Sequence, residues 1–374
     1  MSQFRTITSS IARHVLSTGY SRARRLGLFD PGATPILYLA EKADWSIRHD
    51  GLSYCKALEA THPGTTRFSV RPEHATGRIA HFGSQFVWQA WNKTLDPNAR
   101  RLVTFFHGKP EDGPQMKEHV TYLLDHLGDL EFVVTASSLV ERRLLSWGVP
   151  EKKVARVPLG VDLRLFSPPD AHEREAARNF FGVPTESICI GSFQKDGSGW
   201  GEGMEPKLIK GPDLFVDTVA ILARHFPVFV LLTGPARGYV KRRLAGLGIP
   251  FSHRMLQRAE LVSQAFKAID LYIVASREEG GPKAILESLA CGVPLVTTAV
   301  GMAEDVVRDG VSGCLVQTPD ANALAQRAGE LLASPELASK LAAQGLADVR
   351  PFAWDKVAEL LFERVYKKLL ARST

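Results

Sequence analysis

Short apolar runs, closed by glycine, proline or a polar residue, recur along this chain with stretches of helical periodicity between them. Residues 35–40, 101–106 and 131–135 are such runs in the first part, and 187–191, 228–234, 271–274 and 293–298 in the second. They are continuously apolar rather than alternating, as strands buried on both faces need to be, so they predict parallel sheets covered by helices. Helical stretches are predicted over 212–224 and from Pro282, at the first helical position, to about 290, where Gly292 stops the turn. A last helix over 354–370 spaces Val357, Leu360, Leu361, Val365 and Leu369 along one face. The alternation predicts a doubly wound α/β fold. At 374 residues the chain exceeds the size at which one core stops growing, so two domains are expected.

The richest segment joins the run 271–274 to the helix that follows. It reads Ser276-Arg277-Glu278-Glu279-Gly280-Gly281-Pro282-Lys283-Ala284-Ile285-Leu286-Glu287. The loop of this strand–helix unit lies at the carboxyl edge of a parallel sheet, where open α/β sheets bind ligands. Glu279 falls in the loop and Glu287 inside the helix, two acceptors suited to two hydroxyl-bearing parts of one ligand. Backbone N–H groups and the dipole at the helix start favour a phosphate between them. For the pair alone a second reading stays open: Glu279 complements the dipole and Glu287 lies on a solvated face.

Composition narrows the class. Apolar residues make up 45 %, ordinary for a soluble globular protein, and no apolar run is long enough to cross a bilayer. Cys55, Cys189, Cys291 and Cys314 show no C-x-x-C pairing, which predicts reduced, buried thiols and a cytoplasmic protein. The net charge of +6 is concentrated at the start: residues 1–29 hold Arg5, Arg13, Arg22, Arg24 and Arg25 and no acid, with Ile7, Ile11, Val15 and Leu16 among serines. Three readings stay open for this basic extension: a peripheral contact with an anionic membrane surface, a transit peptide, or a flexible tail. Nucleic acid is not an expected partner, because the basic residues lack interleaved aromatics or a recognised module.

The phrase Ala275-Ser276-Arg277-Glu278-Glu279-Gly280-Gly281-Pro282, followed by Leu286-Glu287-Ser288-Leu289-Ala290-Cys291-Gly292-Val293-Pro294, resembles the signature of the retaining glycosyltransferases of sequence family 4, which have the GT-B fold. Gly301 and Asp309-Gly310-Val311-Ser312-Gly313 continue it. Gly148-Val149-Pro150, Leu159-Gly160-Val161-Asp162, Phe166 and Pro168 are similar to the family's segment entering its second domain, and Lys210-Gly211 to its lysine–glycine pair. The resemblance covers residues 130–320 well and the first 120 loosely.

It implies two Rossmann-like doubly wound domains facing a central cleft. The expected divisions are an acceptor-side domain over 1–168, a nucleotide-sugar-binding domain over 169–350, and a helix over 351–374 crossing back to the first, with Phe352 and Trp354 as its anchors. Carried over by position, the resemblance gives Glu287 the ribose hydroxyls and Glu279 a hydroxyl of the donor sugar. Backbone N–H groups of Gly280 and Gly281 approach sugar or phosphate, and Lys210 meets the diphosphate. His107, at the end of a first-domain strand, is expected to face the donor, with His81 as second candidate. His107, Lys210 and Glu279 are thus the catalytic candidates, and Lys195, Gly280, Gly281 and Glu287 the donor-binding ones.

The chain departs from the family pattern in three places. The family's arginine after the strand glycine is Ser192 here, and Lys210 follows a long insertion in which Lys195 or Lys207 can supply the second charge. Pro282 replaces a residue with a backbone donor, and Glu41-Lys42-Ala43-Asp44-Trp45 stands where many relatives have a glycine-rich loop, leaving the acceptor side unassigned. With no D-x-D motif, neither a metal nor a cofactor is expected.

The function expected is transfer of a sugar, with retention, from a UDP-sugar or GDP-sugar to a glycan or lipid-linked acceptor. The alternatives are a GT-B phosphorylase or epimerase, an inactive scaffold that binds a nucleotide-sugar or a partner enzyme, and, weakly, a dinucleotide dehydrogenase, for which no G-x-G-x-x-G follows the first strand.

Overall fold

The computed structural model describes residues 34–43, 46–95, 99–199 and 201–371, together with 12–13, 15–19, 21–23, 26 and 28. Arg5, Arg24 and Arg25 of the basic extension lie outside the described residues, as do Asp44 and Trp45. The chain divides into two compact units: Met1–Leu159 with Trp354–Thr374, and Gly160–Ala353.

Unit 1 is built on six parallel strands: β1 (Ile36–Leu39), β2 (Thr66–Ser69), β3 (Ile79–Phe82), β4 (Arg101–Thr104), β5 (Phe132–Thr135) and β6 (Val154–Arg156), in the order β2-β1-β3-β4-β5-β6. Period-two geometry sends Leu37 and Leu39 into a core with Phe82, Val103 and Trp88, while Ile36 and Tyr38 join Ile79, Leu102 and Val134 on the other face. Both faces are covered, which is why all four residues of β1 are buried.

The second face is closed by the end of the chain. Trp354–Leu361 is α-helical, Phe362–Tyr366 forms a wider π turn, and Lys367–Leu370 resumes the α-helix. Val357, Leu361, Val365 and Leu369 are buried against Ile36, Tyr38 and Leu102, whereas Leu360 is only half-buried. Trp354 packs edge-on to Tyr54 at 5.0 Å, while Phe352 belongs to unit 2, its carbonyl accepting the Val161 N–H at 2.9 Å.

The π turn sits where Tyr366 meets β3. The Tyr366 hydroxyl lies 2.6 Å from His81 Nδ1, and Thr104 Oγ1 lies 3.0 Å from His81 Nε2. His81 is therefore a core residue of the sheet with both ring nitrogens satisfied, and burial depresses its pKa from 6.5 to about 3. The neutral form is the native one, so this contribution to stability is complete above pH 6.5 and is lost as pH falls from 6.5 toward 3. The expected slope is about 1.4 kcal/mol per pH unit in that window. Urea unfolding at pH 6.5, 5.5 and 4.5 checks it: His81→Gln is expected to unfold with a visibly flatter pH dependence, and equal slopes would refute the buried neutral imidazole.

Unit 2 holds β7 (Ile188–Phe193), β8 (Val228–Thr233), β9 (Phe251–Arg254), β10 (Leu271–Val274), β11 (Leu295–Thr298) and β12 (Cys314–Val316), all parallel, in the order β12-β11-β10-β7-β8-β9. Counted from β7 as the first strand, this is the dinucleotide-fold order 3-2-1-4-5-6, which reverses between β7 and β10. Helix Pro212–Leu222 buries Leu214, Phe215, Val219 and Leu222 against the sheet. Among the described residues no helix is long and apolar enough to cross a membrane. All four cysteines are free; burial raises the thiol pKa of Cys189, and takes Cys55 and Cys291 to about 12 and Cys314 to about 11.

Candidate functional site

The strand order of unit 2 reverses between β7 and β10, the place where open α/β sheets bind ligands, and the two loops past the carboxyl ends of these strands carry most of the residues singled out by sequence. The β10 loop is buried as it leaves the strand, with Ser276 wholly inside. Thr298 Oγ1 of β11 donates to the Ser276 carbonyl at 2.6 Å. The N–H groups of Arg277 and Glu278 both donate to the Ile209 carbonyl, at 2.8 and 3.1 Å. The Arg277 guanidinium grips Asp213 with two hydrogen bonds of 2.8 and 2.6 Å. These bonds strap the β10 loop to the 3-10 turn Leu208–Lys210 at the end of the β7 loop.

Two glycines permit that closeness. Gly211 follows the turn at φ +62°, and a Cβ there would lie 1.8 Å from the Ala275 carbonyl oxygen. Gly301 has φ +54°, and its Cβ would lie 2.7 Å from the Gly280 carbonyl oxygen.

The strap brings Lys210 and Glu279 together. Lys210 Nζ lies 2.6 Å from Glu279 Oε1, and Ser276 Oγ donates to the same oxygen at 3.1 Å. Gln194 at the end of β7 donates to the Lys210 carbonyl at 2.9 Å. Glu279 is only 8 % exposed, so its carboxylate is held by a fixed ammonium and a fixed hydroxyl rather than by water. Glu287 lies half-buried on helix Lys283–Ala290. Burial raises the pKa of the Tyr272 phenol in β10, and the charges of Glu287 and Glu279 raise it further. Gly280 and Gly281 connect them. Pro282 occupies the N-cap rather than the first helical position, and no side chain caps the helix start.

The two described arms of the β7 loop, 194–199 and 201–207, pair as a hairpin. Gly197 bridges Pro206, Ser198 N–H donates to the Glu205 carbonyl at 2.8 Å, and Lys207 N–H to the Asp196 carbonyl at 2.7 Å. Its tip rests on helix Gly238–Gly246, where Gly238 N–H donates to the Glu202 carbonyl at 2.6 Å and Tyr239 N–H to that of Gly203 at 2.9 Å. Lys195 opens the hairpin, half-buried, and Lys207 closes it, exposed. The surrounding protein lowers the Lys207 pKa; the charges of Lys210 and Lys195 push the same way and that of Glu279 opposes them. Lys195 and Lys207 are thus carried by the same loop that ends at Lys210, and of the three lysines it is Lys210 that pairs with Glu279.

Sequence reasoning did not find what lies beneath the hairpin. Arg237 and Asp196 are an ion pair of 3.1 Å in which both side chains are wholly buried. Ser192 is buried as well, its carbonyl and hydroxyl both taken by Arg237. No local pattern in the sequence marked either residue of the pair.

In unit 1, His107 is half-buried just past the carboxyl end of β4. The turn is held by the Phe106 N–H donating to Gln85 Oε1 at 3.2 Å and by Arg143 donating to the Gly108 carbonyl at 3.2 Å. The unit 1 sheet reverses strand order between β1 and β3. A cavity of about 670 Å³ opens past β1 and β2, with Glu41, Lys42, Arg71, Glu73 and Trp91 in its walls. Glu41 accepts a hydrogen bond from Ser84 Oγ, and Arg71 pairs with Glu73 at 2.9 Å. Among the described residues no cluster of three or more His, Cys, Asp or Glu side chains is placed to hold a metal ion.

Residues 205–347 match the family model described as glycosyl transferases group 1. The chain is 30 % identical over 283 residues to a D-inositol 3-phosphate glycosyltransferase of Xylanimonas cellulosilytica, a match covering 70 % of this chain and 63 % of that protein. It is 28 % identical to a GDP-mannose-dependent alpha-(1-6)-phosphatidylinositol monomannoside mannosyltransferase of Mycolicibacterium smegmatis, covering 66 % of this chain and 65 % of that one. The chain therefore spans less than two thirds of the length of these curated relatives. In fold it is similar to Anabaena HepE in complex with UDP and glucose, with a TM-score of 0.73 at 17 % identity over 90 % of this chain and all of that one. A sucrose-phosphate synthase of Thermosynechococcus elongatus gives 0.72 at 19 % identity over 91 % of this chain and 100 % of that one.

Proposed function

On the premise that this chain belongs to the group 1 glycosyltransferases of sequence family 4, with the GT-B fold, we propose that it transfers a sugar from a nucleoside-diphosphate-sugar to an acceptor hydroxyl. The observation that carries this reading is the Lys210–Glu279 pair at the strand-order reversal of unit 2, with Lys195 and Lys207 on the loop that leads to it. A departing nucleoside diphosphate gathers negative charge as the glycosidic bond breaks, and fixed cations stabilise that charge better than water, which must reorient. Glu279, held by Ser276 and Lys210, accepts from a donor-sugar hydroxyl, and Glu287 from the ribose hydroxyls. The N–H groups of Gly280, Gly281 and the uncapped helix start face sugar or phosphate.

The proposed reaction proceeds with retention and without a metal ion: the acceptor oxygen attacks the anomeric carbon from the side the diphosphate leaves, and no protein nucleophile is assigned. His107 is the unit 1 group proposed for catalysis, and His107→Ala is expected to lower kcat. The crevice with Glu41, Glu73 and Trp91 suits a hydroxyl-rich acceptor such as a glycan or a lipid-linked sugar. The basic extension is proposed to touch anionic lipid; removal of residues 1–29 should weaken binding to phosphatidylserine vesicles, and unchanged binding would end that proposal.

Thermal-shift titration with UDP, GDP, ADP and their sugar conjugates, with NAD as control, tests the donor reading. A ligand at 100 times its Kd adds about 2.7 kcal/mol of stability. The shift is expected with one diphosphate and to be weakened in Glu287→Ala. No shift with any nucleotide would favour the rival reading, a scaffold without turnover, which the loss of the family's arginine at Ser192 supports.

A further inference from the structure

We propose that the buried Asp196–Arg237 pair is a positioning device for the donor's diphosphate: it fixes the 194–207 hairpin so that Lys207, beside Lys210, supplies the second cation that Ser192 cannot. The inference rests on the donor reading above.

Position 192 is closed to a ligand. Arg237 Nη2 donates to Ser192 Oγ at 3.0 Å, and Nη1 donates to the carbonyls of Ser192, Gln194 and Thr233 at 2.7, 2.8 and 2.9 Å. The guanidinium is thereby turned inward, and its charge serves the loop rather than an incoming ligand. The hairpin also lies directly on the turn before Arg237: a Cβ on Gly197 or Gly203 would lie 2.3 or 2.2 Å from the Ala236 carbonyl oxygen. Ala236 itself has φ +57°, a strained turn that surrounding contacts must hold.

Asp196 is the link. Its carboxylate oxygens accept no hydrogen bond and are compensated by the charge of Arg237. A buried carboxylate without hydrogen bonds is costly, so the hairpin keeps this arrangement only while the arginine faces it. The Asp196 carbonyl receives the Lys207 N–H, and the Lys207 carbonyl receives the Lys210 N–H at 2.8 Å. A continuous series of bonds therefore runs from Arg237 through Asp196 and Lys207 to Lys210. Lys207 is thereby set at the start of the 3-10 turn that ends at Lys210, and the charges of Lys210, Lys195 and Glu279 bear on it. An exposed ammonium next to a cation already paired with a carboxylate is suited to an incoming phosphate oxygen.

Calorimetric titration of the full chain with UDP and UMP, GDP and GMP, and ADP and AMP tests this, taking the diphosphate-over-monophosphate affinity ratio for the nucleoside the wild type binds best. Lys207→Ala is expected to lower the ratio roughly tenfold or more, and Lys207→Arg to restore most of it. Asp196→Asn is expected to lower the ratio as Lys207→Ala does, and the double variant to lose no more than Lys207→Ala alone. An unchanged ratio in Lys207→Ala overturns the inference even if Asp196→Asn does not fold, because Lys207 is exposed and its removal leaves the buried pair intact. Additive losses in the double variant overturn the positioning role. A wild type that binds none of the diphosphates overturns the donor reading, and this inference with it.

Discussion

Replacing Lys210 with alanine is expected to lower turnover by roughly 10²-fold or more, the magnitude found when one fixed donor to a developing negative charge is removed. The readout is release of nucleoside diphosphate from the donor that the wild type turns over. The same change leaves Glu279 with only Ser276 as partner, in a place where its side chain is 11 % exposed. A stability loss of about 1–3 kcal/mol should accompany it. Glu279→Gln separates the two effects, because it removes the carboxylate's charge and leaves the lysine free to meet phosphate. Turnover of Lys210→Ala within a few-fold of wild type, in a folded chain, would remove the lysine from the leaving-group role.

Gly211→Ala is expected to destabilise unit 2 by about 3 kcal/mol or more, combining the cost of a left-handed backbone for an L-residue with a backbone clash. The clash has no soft side, since the atom met is the Ala275 carbonyl oxygen at 1.8 Å. Gly199→Ala is the control: φ there is +71°, and nothing lies within 4 Å of the added carbon. It should cost only about 1–2 kcal/mol. Denaturant midpoints decide, and equal costs at the two positions would show that the strap between the two loops is not tight. If the Gly211→Ala chain still folds, it should lose nucleotide binding, because Lys210 and Glu279 are carried by the two segments the substitution forces apart.

The buried interior strands were legible in the sequence and the strands at the sheet edges were not. β2, β6, β9 and β12 are the four edge strands, and their sequences, such as Thr66-Arg67-Phe68-Ser69 and Phe251-Ser252-His253-Arg254, mix polar residues into the apolar pattern because an edge is less deeply covered. β3 was hidden for another reason: His81 interrupts Ile79-Ala80-His81-Phe82, and only the fold reveals that Tyr366 and Thr104 satisfy the ring. Tyr366 was missed in turn because the π turn shifts the helical register by which the apolar face had been read.

At the site, Lys210, Glu279 and Glu287 were visible as residues of the right kind in a recognisable phrase. Their contacts were not, since Lys210 and Glu279 are 69 positions apart. Arg237 and Asp196 carried no signal at all, as a buried pair depends on strand adjacency that no local pattern encodes.

The native thiols give the chain a set of built-in reporters. Cys55 is the sole cysteine of unit 1, while Cys189, Cys291 and Cys314 all belong to unit 2. With pKa values near 11 or above, each is almost wholly protonated at neutral pH, and the protonated thiol does not attack an alkylating reagent. Modification by iodoacetamide must therefore wait until the surrounding structure opens. Mass spectrometry of the modified peptides would then follow the opening of the two units separately, in one tube and without engineered labels.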